Sequence, residues 1–132
     1  KSQISTYPTY TVDIYPTICE FAGAVVPETV LGRSLVAEIR GDPIPKRDYL
    51  YFAYRDLMRS VQTGQWKLIE YRLGNVRHSQ LFNLGTDPME TDDLSSSNDH
   101  RDILTDLRRK LVEARQEFGD DIAPFNSFWE GF

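Results

Sequence analysis

Six polar side chains in the middle of the sequence could edge a cleft for an anion: Tyr54, Arg55, Arg59, Lys67, Arg77 and His78. Arginine presents a planar fork of N–H donors that suits a sulfate or carboxylate group, and tyrosine and histidine add single hydrogen bonds. Because these residues flank strand-like segments, they could line the edge of a cleft on a sheet. The same pattern also allows a structural interpretation, in which Arg59 pairs with Glu70 on a neighbouring strand, and composition and spacing alone favour this one.

Residues of the types that act as nucleophiles or metal ligands are few and poorly placed. His100 opens a helical segment, where a solvated position in the first turn is favoured over metal binding. The acids near it lie on a Ser-rich loop and already suit a helix N-terminus: Asp92, Asp93 and Asp99. Cys19 lies beside the apolar face of the first helix, so a buried structural thiol is expected. We therefore predict no catalytic residue and no metal ligand in this chain.

The composition excludes several classes of protein. The 132 residues include 20 acids and 15 bases, giving a net charge of -5, and no basic face is evident for nucleic acid. No apolar run approaches the roughly 20 residues that a membrane span needs. A single cysteine excludes an internal disulfide framework. The sequence predicts a globular domain that binds no nucleic acid and does not span a membrane.

Four segments with strand-like patterns occupy the middle of the chain, at residues 49–54, 58–63, 66–71 and 79–84. Gly64 can take the positive φ of a tight turn between the second and the third. A two-residue turn there would place Val61 opposite Leu68 and Arg59 opposite Glu70. The segment "GNVRH" (74–78) is interpreted as a loop.

Helical patterns flank the strands on both sides. Asp13 can cap a first helix that ends at Gly23, and a short second helix is predicted from Ser34 to Arg40. Apolar residues at helical spacing predict a long last helix over residues 101–118, and the aromatic tail after it is expected to pack on something. The predicted class is α+β: an antiparallel sheet of about four strands packed by a long C-terminal helix, with one or two short N-terminal helices.

The order of four segments resembles the C-terminal part of the sulfatase family, of the arylsulfatase type in the alkaline-phosphatase-like superfamily. "VDIYPTICEFAGAVVPETVLGRSLVAEIRG" is similar to the family segment Asp-x-x-Pro-Thr, Ala-Gly, Pro, Gly-x-Ser-Leu, Gly. "RSVQTGQWKLI" resembles its Arg-x-Val-x-Thr-Gly-x-Trp/Tyr-Lys hairpin. "LFNLGTDPMETDDL" resembles its Leu-Tyr-Asp-Leu, Asp-Pro-x-Glu, Asn-Leu segment, with Phe82, Asn83 and Asp93 as departures. The long helix follows, as it does in the family.

The resemblance also implies which family motifs lie elsewhere. Sulfatases carry Cys/Ser-x-Pro-x-Arg, whose Cys or Ser becomes the formylglycine nucleophile, and a calcium ion held by Asp and Asn. The residues two before each proline here are neither Cys nor Ser: Thr6, Ile14, Val25, Gly41, Pro43, Thr86 and Ile122. Calcium and formylglycine are therefore expected in an N-terminal catalytic domain of the parent protein, and this chain alone is expected to be inert.

The resemblance further implies that two parts of the chain have different structural roles. Residues 1–45 are expected to join that catalytic domain, and residues 46–132 to form the C-terminal subdomain of sheet plus helix. The partners implied are the catalytic domain of the same polypeptide and a sulfated carbohydrate or aryl sulfate. Tyr54, Arg55, Arg59 and His78 are the predicted substrate-binding residues at the cleft rim, and the parent is expected to be exported to the periplasm or secreted.

Two other interpretations remain open. In one, the chain is a self-standing protein-interaction domain, whose aromatic segments "YLYFAY" and "FNSFWEGF" bind another protein. In the other, it is a complete small enzyme, which the lack of a nucleophile–base pair disfavours. The coding sequence upstream of Lys1 separates them, since an open frame with Cys/Ser-x-Pro-x-Arg favours the sulfatase and a nearby start codon favours the interaction domain.

Overall fold

The computed structural model describes residues 4–43 and 45–132; residues 1–3 of the predicted extended start and Ile44 of the proline-rich linker lie outside it. The chain forms two compact units, residues 1–50 and 51–132. The predicted α+β class is confirmed. The elements are helices α1 (Ile14–Ala22), α2 (Val36–Arg40) and α3 (Arg101–Glu117), strands β1 (Leu50–Tyr54), β2 (Met58–Thr63), β3 (Trp66–Leu73) and β4 (Val76–Asn83), and 3-10 segments Thr11–Asp13, Asn98–His100 and Phe125–Trp129.

The four strands form one antiparallel sheet in the order β1-β2-β3-β4. Val61 pairs with Leu68 and Arg59 with Glu70 between β2 and β3, as the sequence predicts. Gly64 has a φ of 55° in the turn that joins these strands. Glycine adopts this left-handed conformation without the steric cost of a Cβ, so two residues suffice to reverse the chain.

The hairpin of β3 and β4 is longer than predicted. The interpretation of residues 74–78 as a loop is wrong, because only Gly74 and Asn75 lie between the strands, and Leu73 pairs with Val76. Gly74, with a φ of 59°, makes the short turn, and the ladder continues at once. His78 therefore lies inside β4, opposite Tyr71.

Helix α3 packs on one face of the sheet through its apolar stripe. Leu107 and Leu111 are 1% and 0% exposed, and they meet a sheet face that includes the buried side chains of Val61, Leu68 and Leu81. Arg108 orients the helix, because its Nε donates to Glu70 Oε1 over 2.7 Å. Strand alternation then places side chains such as Tyr71 on the opposite face.

The aromatic tail after α3 folds back onto the sheet; the sequence predicts that it packs, but not on which surface. Phe128 is fully buried and Trp129 nearly so. The guanidinium of Arg59 lies 4.7 Å from the centre of the Phe128 ring. Arg77 Nη2 donates to the carbonyl oxygens of Phe128 and Glu130, each over 2.7 Å. The tail is therefore part of the packed unit.

The N-terminal unit is organised around the buried carboxylate of Asp13. Asp13 occupies the N-cap position of α1, as predicted, but its side chain makes no capping hydrogen bond to this helix. Its oxygens accept instead from the backbone N–H groups of Tyr10 and Arg33, each over 2.8 Å. Both Nη atoms of Arg47 complete the site at 2.8 Å. One carboxylate thus joins three parts of the unit.

Thr17 in α1 and Gly32 hold the loop between α1 and α2 against the start of α1. Thr17 Oγ1 donates to the Asp13 carbonyl over 2.6 Å and accepts the N–H of Leu35 over 2.9 Å. A Cβ at Gly32 would lie 2.2 Å from the carbonyl oxygen of Val12, so only glycine permits this close approach of two backbones.

The apolar stripe of α1 faces solvent. Ile14, Ile18 and Phe21 share one side of the helix and are 53%, 60% and 58% exposed. Cys19 beside them is half-buried, so its predicted full burial is wrong. None of the helices in residues 4–43 and 45–132 has the length and apolar character needed to cross a membrane.

Candidate functional site

The four residues predicted to bind substrate do not form one cluster. Tyr54 ends β1 and Arg55 begins the turn that follows, whereas His78 lies in β4 at the other edge of the sheet. Three inter-strand spacings of about 4.8 Å separate the edge strands, which amounts to roughly 14 Å. The structure therefore gives a Tyr54–Arg55 pair and a separate histidine.

Tyr54 and Arg55 form an exposed, tightly held pair. The turn is closed by Leu57 N–H, which donates to Tyr54 O over 3.2 Å. Arg55 has a φ of 49°, a conformation that costs a non-glycine residue about 1–3 kcal/mol. Its carbonyl accepts from Nη1 of the buried Arg59, which anchors the strained residue. The Arg55 guanidinium lies 5.6 Å from the centre of the Tyr54 ring, facing solvent.

Arg59 is buried and all of its donors are used inside the chain. Its side chain is 0% exposed and forms a salt bridge with Asp120, with Nη2 2.9 Å from Oδ1. The remaining N–H groups donate to the carbonyls of Arg55, Met58 and Phe125. An arginine has five N–H groups, so none is left for a substrate anion. The predicted ion pair with Glu70 is also wrong, because Glu70 binds Arg108.

Asp120, and not the cross-strand neighbour Glu70, is the acidic partner of Arg59. The carboxylate also accepts the Tyr51 hydroxyl, and Trp129 Nε1 donates to the Asp120 carbonyl over 2.6 Å. Burial and the Asp120 carboxylate raise the pKa of Tyr51 far above its usual value, so the hydroxyl stays a donor. This cluster holds the tail on the sheet.

His78 remains exposed on the sheet face away from α3, although its predicted place in a loop is wrong. Its ring stacks on Tyr71 with centroids 6.0 Å apart. The Tyr71 hydroxyl donates to Gln80 Oε1 over 2.9 Å. Burial, followed by the charges of Glu90 and Asp93, raises the pKa of Tyr71. The strip Tyr71–His78–Gln80 thus offers a ring and several hydrogen-bonding groups side by side.

The calcium ion implied by the resemblance does not fit the part of the chain that the structure describes. No group of three or more His, Cys, Asp or Glu side chains in that part could hold a metal ion. Asp93 accepts the backbone N–H groups of Leu81 and Ser95 over 3.0 and 2.9 Å.

His100 is half-buried with its ring 5.4 Å from Trp66, so its predicted solvated position is wrong.

Sequence reasoning missed a cavity at the open end of the sheet. It is lined by Asp56, Leu57, Arg72, Gly74 and Ser127, and its volume is about 130 Å³. Arg72 lies opposite Arg77 across the β3–β4 hairpin. The signal was the dipeptide Gly74-Asn75, since a two-residue turn there places these two arginines side by side.

Comparisons with known proteins link the chain to sulfatases. A family model described as "N-sulphoglucosamine sulphohydrolase, C-terminal" matches residues 2–117. Mouse arylsulfatase K (Mus musculus) is 28% identical over 112 residues, which cover 76% of this chain. A Delta 4,5-hexuronate-2-O-sulfatase of Bacteroides thetaiotaomicron is 28% identical over 121 residues, or 84% of this chain.

A crystal structure of a putative sulfatase from Bacteroides thetaiotaomicron VPI-5482 has a similar fold. The TM-score is 0.68 at 27% identity, over 83% of this chain and 25% of that one. The chain spans 20% of the length of mouse arylsulfatase K and 24% of the hexuronate sulfatase. It thus corresponds to about a quarter or less of these relatives.

Proposed function

Because the chain belongs to the N-sulphoglucosamine sulphohydrolase C-terminal family, we propose that it serves as the C-terminal subdomain of a larger sulfatase. In this role it packs against an N-terminal catalytic domain and forms part of the rim of the substrate cleft. The match over residues 2–117 carries the proposal, since it includes the sheet, α1, α2 and all of α3.

The chemical step belongs to the catalytic domain. In a sulfatase the formylglycine nucleophile and calcium carry out sulfate ester hydrolysis, and this chain contains no Cys/Ser-x-Pro-x-Arg motif. We expect both groups in the N-terminal domain. The role of residues 51–132 is then to bind and select the substrate.

The exposed stripe of α1 is the surface that we propose contacts the catalytic domain. Ile14, Ile18 and Phe21 are each more than half exposed, and Val25 and Leu31 in the same unit are 91% and 93% exposed. Apolar side chains concentrated in this way are unusual on a surface that stays in water. Residues 1–45 therefore join the two domains.

We propose a sulfated carbohydrate or an aryl sulfate as the substrate. The names of relatives support this class, since one is an arylsulfatase and another acts as a hexuronate-2-O-sulfatase. The Arg55 fork can bind an anionic group, and the Tyr54 ring can pack on a sugar or aryl ring. His78 contributes a second contact from its own edge of the sheet.

The test is a set of substitutions in the full-length enzyme. Arg55→Ala and Tyr54→Ala are expected to raise KM several-fold with little change in kcat, because a contact that is equal in ground and transition states is lost. His78→Ala should have a smaller effect that differs between a sulfated sugar and a small aryl sulfate. Arg109→Ala, which removes an exposed arginine from α3, is the matched control and should leave KM unchanged.

Unchanged KM on both substrates for all three variants, with stability as in the wild type, would remove this domain from the substrate cleft. It would leave only its role in packing.

The protein-interaction domain remains the second candidate. The observation in its favour is the exposure of Phe52, Phe125 and Phe132, at 41%, 47% and 40%. A full-length gene that encodes no sulfatase catalytic domain would favour it over the sulfatase.

A further inference from the structure

The cavity at the open end of the sheet is bordered by three separate parts of the chain. The turn after β1 supplies Asp56 and Leu57, the end of β3 supplies Arg72 and Gly74, and the tail supplies Ser127. Its volume of about 130 Å³ is several times the roughly 10–15 Å³ that one water molecule requires. A group larger than water therefore fits.

Two arginine side chains lie opposite each other on the two strands beside the cavity. Arg72 and Arg77 are direct partners across β3 and β4, and like charges in this arrangement destabilise a sheet. Burial, and then the charge of Arg72, lower the pKa of Arg77. Glu130 makes the salt bridge to Arg72 over 3.0 Å, but its side chain is 70% exposed. The buried carboxylate of Glu70 acts to raise the pKa of Arg77, but its oxygens are hydrogen-bonded to Arg108 and Ser79 and not to this pair.

Each of the two arginines has a buried nitrogen without a hydrogen-bond acceptor. Within residues 4–43 and 45–132, no acceptor meets Nη1 of Arg72 or Nη1 of Arg77. Buried donors without a partner lose the hydrogen bonds that water would have given them. Arg77 is covered by the rings of Phe128 and Phe132, at 5.4 and 5.3 Å. Arg72 is the member of the pair that lines the cavity.

From these contacts we infer that the cavity is a binding site for an oxyanion, namely a sulfate ion or the sulfate group of a saccharide. Arg72 supplies the charged donor, because it lines the cavity and one of its nitrogens has no acceptor among the described residues. Ser127 Oγ supplies a second donor, because its present hydrogen bond to Asp56 Oδ2 is long, at 3.4 Å. This site is distinct from the outward-facing guanidinium of Arg55, and it does not depend on catalysis by any parent enzyme.

Asp56, which also lines the cavity, distinguishes an anion from other ligands. Its carboxylate lines the cavity and repels an anion, so it weakens binding in the native chain. Replacing it with asparagine removes the charge and keeps the size. A cation would respond in the opposite way, because Asp56→Asn removes the negative charge that attracts it.

The experiment is a titration of the 132-residue chain followed by NMR. The signals observed are the Arg72 Nε–H group and the backbone amides of Gly74 and Ser127. Sodium sulfate is compared with sodium chloride at equal ionic strength. A sulfated monosaccharide is compared with its unsulfated counterpart. We expect saturable shifts with sulfate and with the sulfated sugar, and none with chloride or the unsulfated sugar. Tighter binding of the sugar than of the ion identifies the saccharide as the source of the group.

Variants decide whether the cavity is responsible. Asp56→Asn should bind sulfate at least threefold more tightly, and Arg72→Gln and Ser127→Ala should each bind at least threefold more weakly. Arg109→Gln removes the same charge from an exposed position on α3 and should bind as the wild type does. Shifts that do not saturate, or an Asp56→Asn variant that binds sulfate no better, would overturn the inference. Equal loss in Arg109→Gln would also overturn it, because it would show only a general effect of net charge.

Discussion

Among single residues, Arg59 shows how a side chain that suits ligand binding becomes part of the core. Its guanidinium is closed in by Asp120, three carbonyl groups and the ring of Phe128. A buried charge of this kind is tolerated because every donor is paired. Removing one partner leaves the other charge without compensation.

We predict that Arg59→Ala lowers the free energy of unfolding by about 3–5 kcal/mol, the usual cost of breaking a buried ion pair. The measurement is urea denaturation followed by tryptophan fluorescence, since Trp129 contacts the same cluster. Arg109→Ala serves as the control and should change stability by less than about 0.5 kcal/mol, because its ion pairs are exposed. Equal effects in the two variants would contradict a structural role for Arg59.

Asp13 predicts a pH dependence of the N-terminal unit. Burial raises its pKa, but hydrogen bonds from Arg47 and from the N–H groups of Arg33 and Tyr10 outweigh this and lower the pKa below the usual 3.8. The charged form is therefore favoured in the folded state. Its stabilisation is complete at pH values above the unfolded pKa and is lost as the pH falls through the lower folded value.

The measurement is urea unfolding between pH 6 and pH 2, followed by the NMR signals of α1. Wild type should lose stability below about pH 4. Asp13→Asn should be less stable at pH 6, and the difference between the two proteins should shrink as the pH falls. A difference that stays constant over this range would show that the Asp13 charge does not contribute.

Between elements, the packing of α3 on the sheet carries the C-terminal unit. A stripe of apolar side chains at helical spacing meets the face of the sheet that includes Val61, Leu68 and Leu81. Arg108 adds a polar anchor to Glu70 and Ser79, both on that face. The helix is therefore held by apolar burial and aligned by hydrogen bonds.

Leu107→Ala and Leu111→Ala should each lower the free energy of unfolding by about 2–5 kcal/mol, because truncating a buried leucine leaves a cavity. Urea midpoints measured on each variant test this. Val112→Ala, on the exposed side of α3, is the matched control and should have little effect. Unchanged midpoints for both leucine variants would mean that α3 does not pack on this sheet.

The chain as a whole corresponds to about a quarter or less of the relatives that it matches. Its described residues hold no cluster that could bind a metal ion, and its sequence contains no formylglycine motif. In the proposed sulfatase, the exposed stripe of α1 is covered by the catalytic domain. In that proposed enzyme, both the sulfatase activity and the burial of the α1 stripe depend on the catalytic domain.

We predict that the isolated chain does not hydrolyse a chromogenic aryl sulfate, with or without added calcium, because it lacks the nucleophile. The measurement is release of the chromophore against a heat-treated sample. Mass spectrometry excludes a contaminating sulfatase from the expression host. Turnover above this control would contradict the assignment of the chemical step to another domain.

Patterns that act over a few residues made much of the fold predictable. The turn at Gly64 and the alternation around it were enough to predict the register of Arg59 with Glu70. The stripe of α3 was equally clear, because helical periodicity depends only on neighbours along the chain. The hairpin at Gly74 was not predicted, because the residues after it are mostly polar and were interpreted as a loop.

Partners distant in sequence could not be predicted in the same way. Arg59 binds Asp120, which is 61 residues away, and only the return of the tail over the sheet brings them together. The cavity beside Arg72 likewise needs a turn, a strand end and the tail at one place. Local sequence determines most of the elements, the register of β2 with β3 and the family, because these follow from spacing along the chain. Which charges meet, and which apolar stripe stays exposed, depends on how the elements pack, because packing sets the distances between residues that the sequence keeps apart.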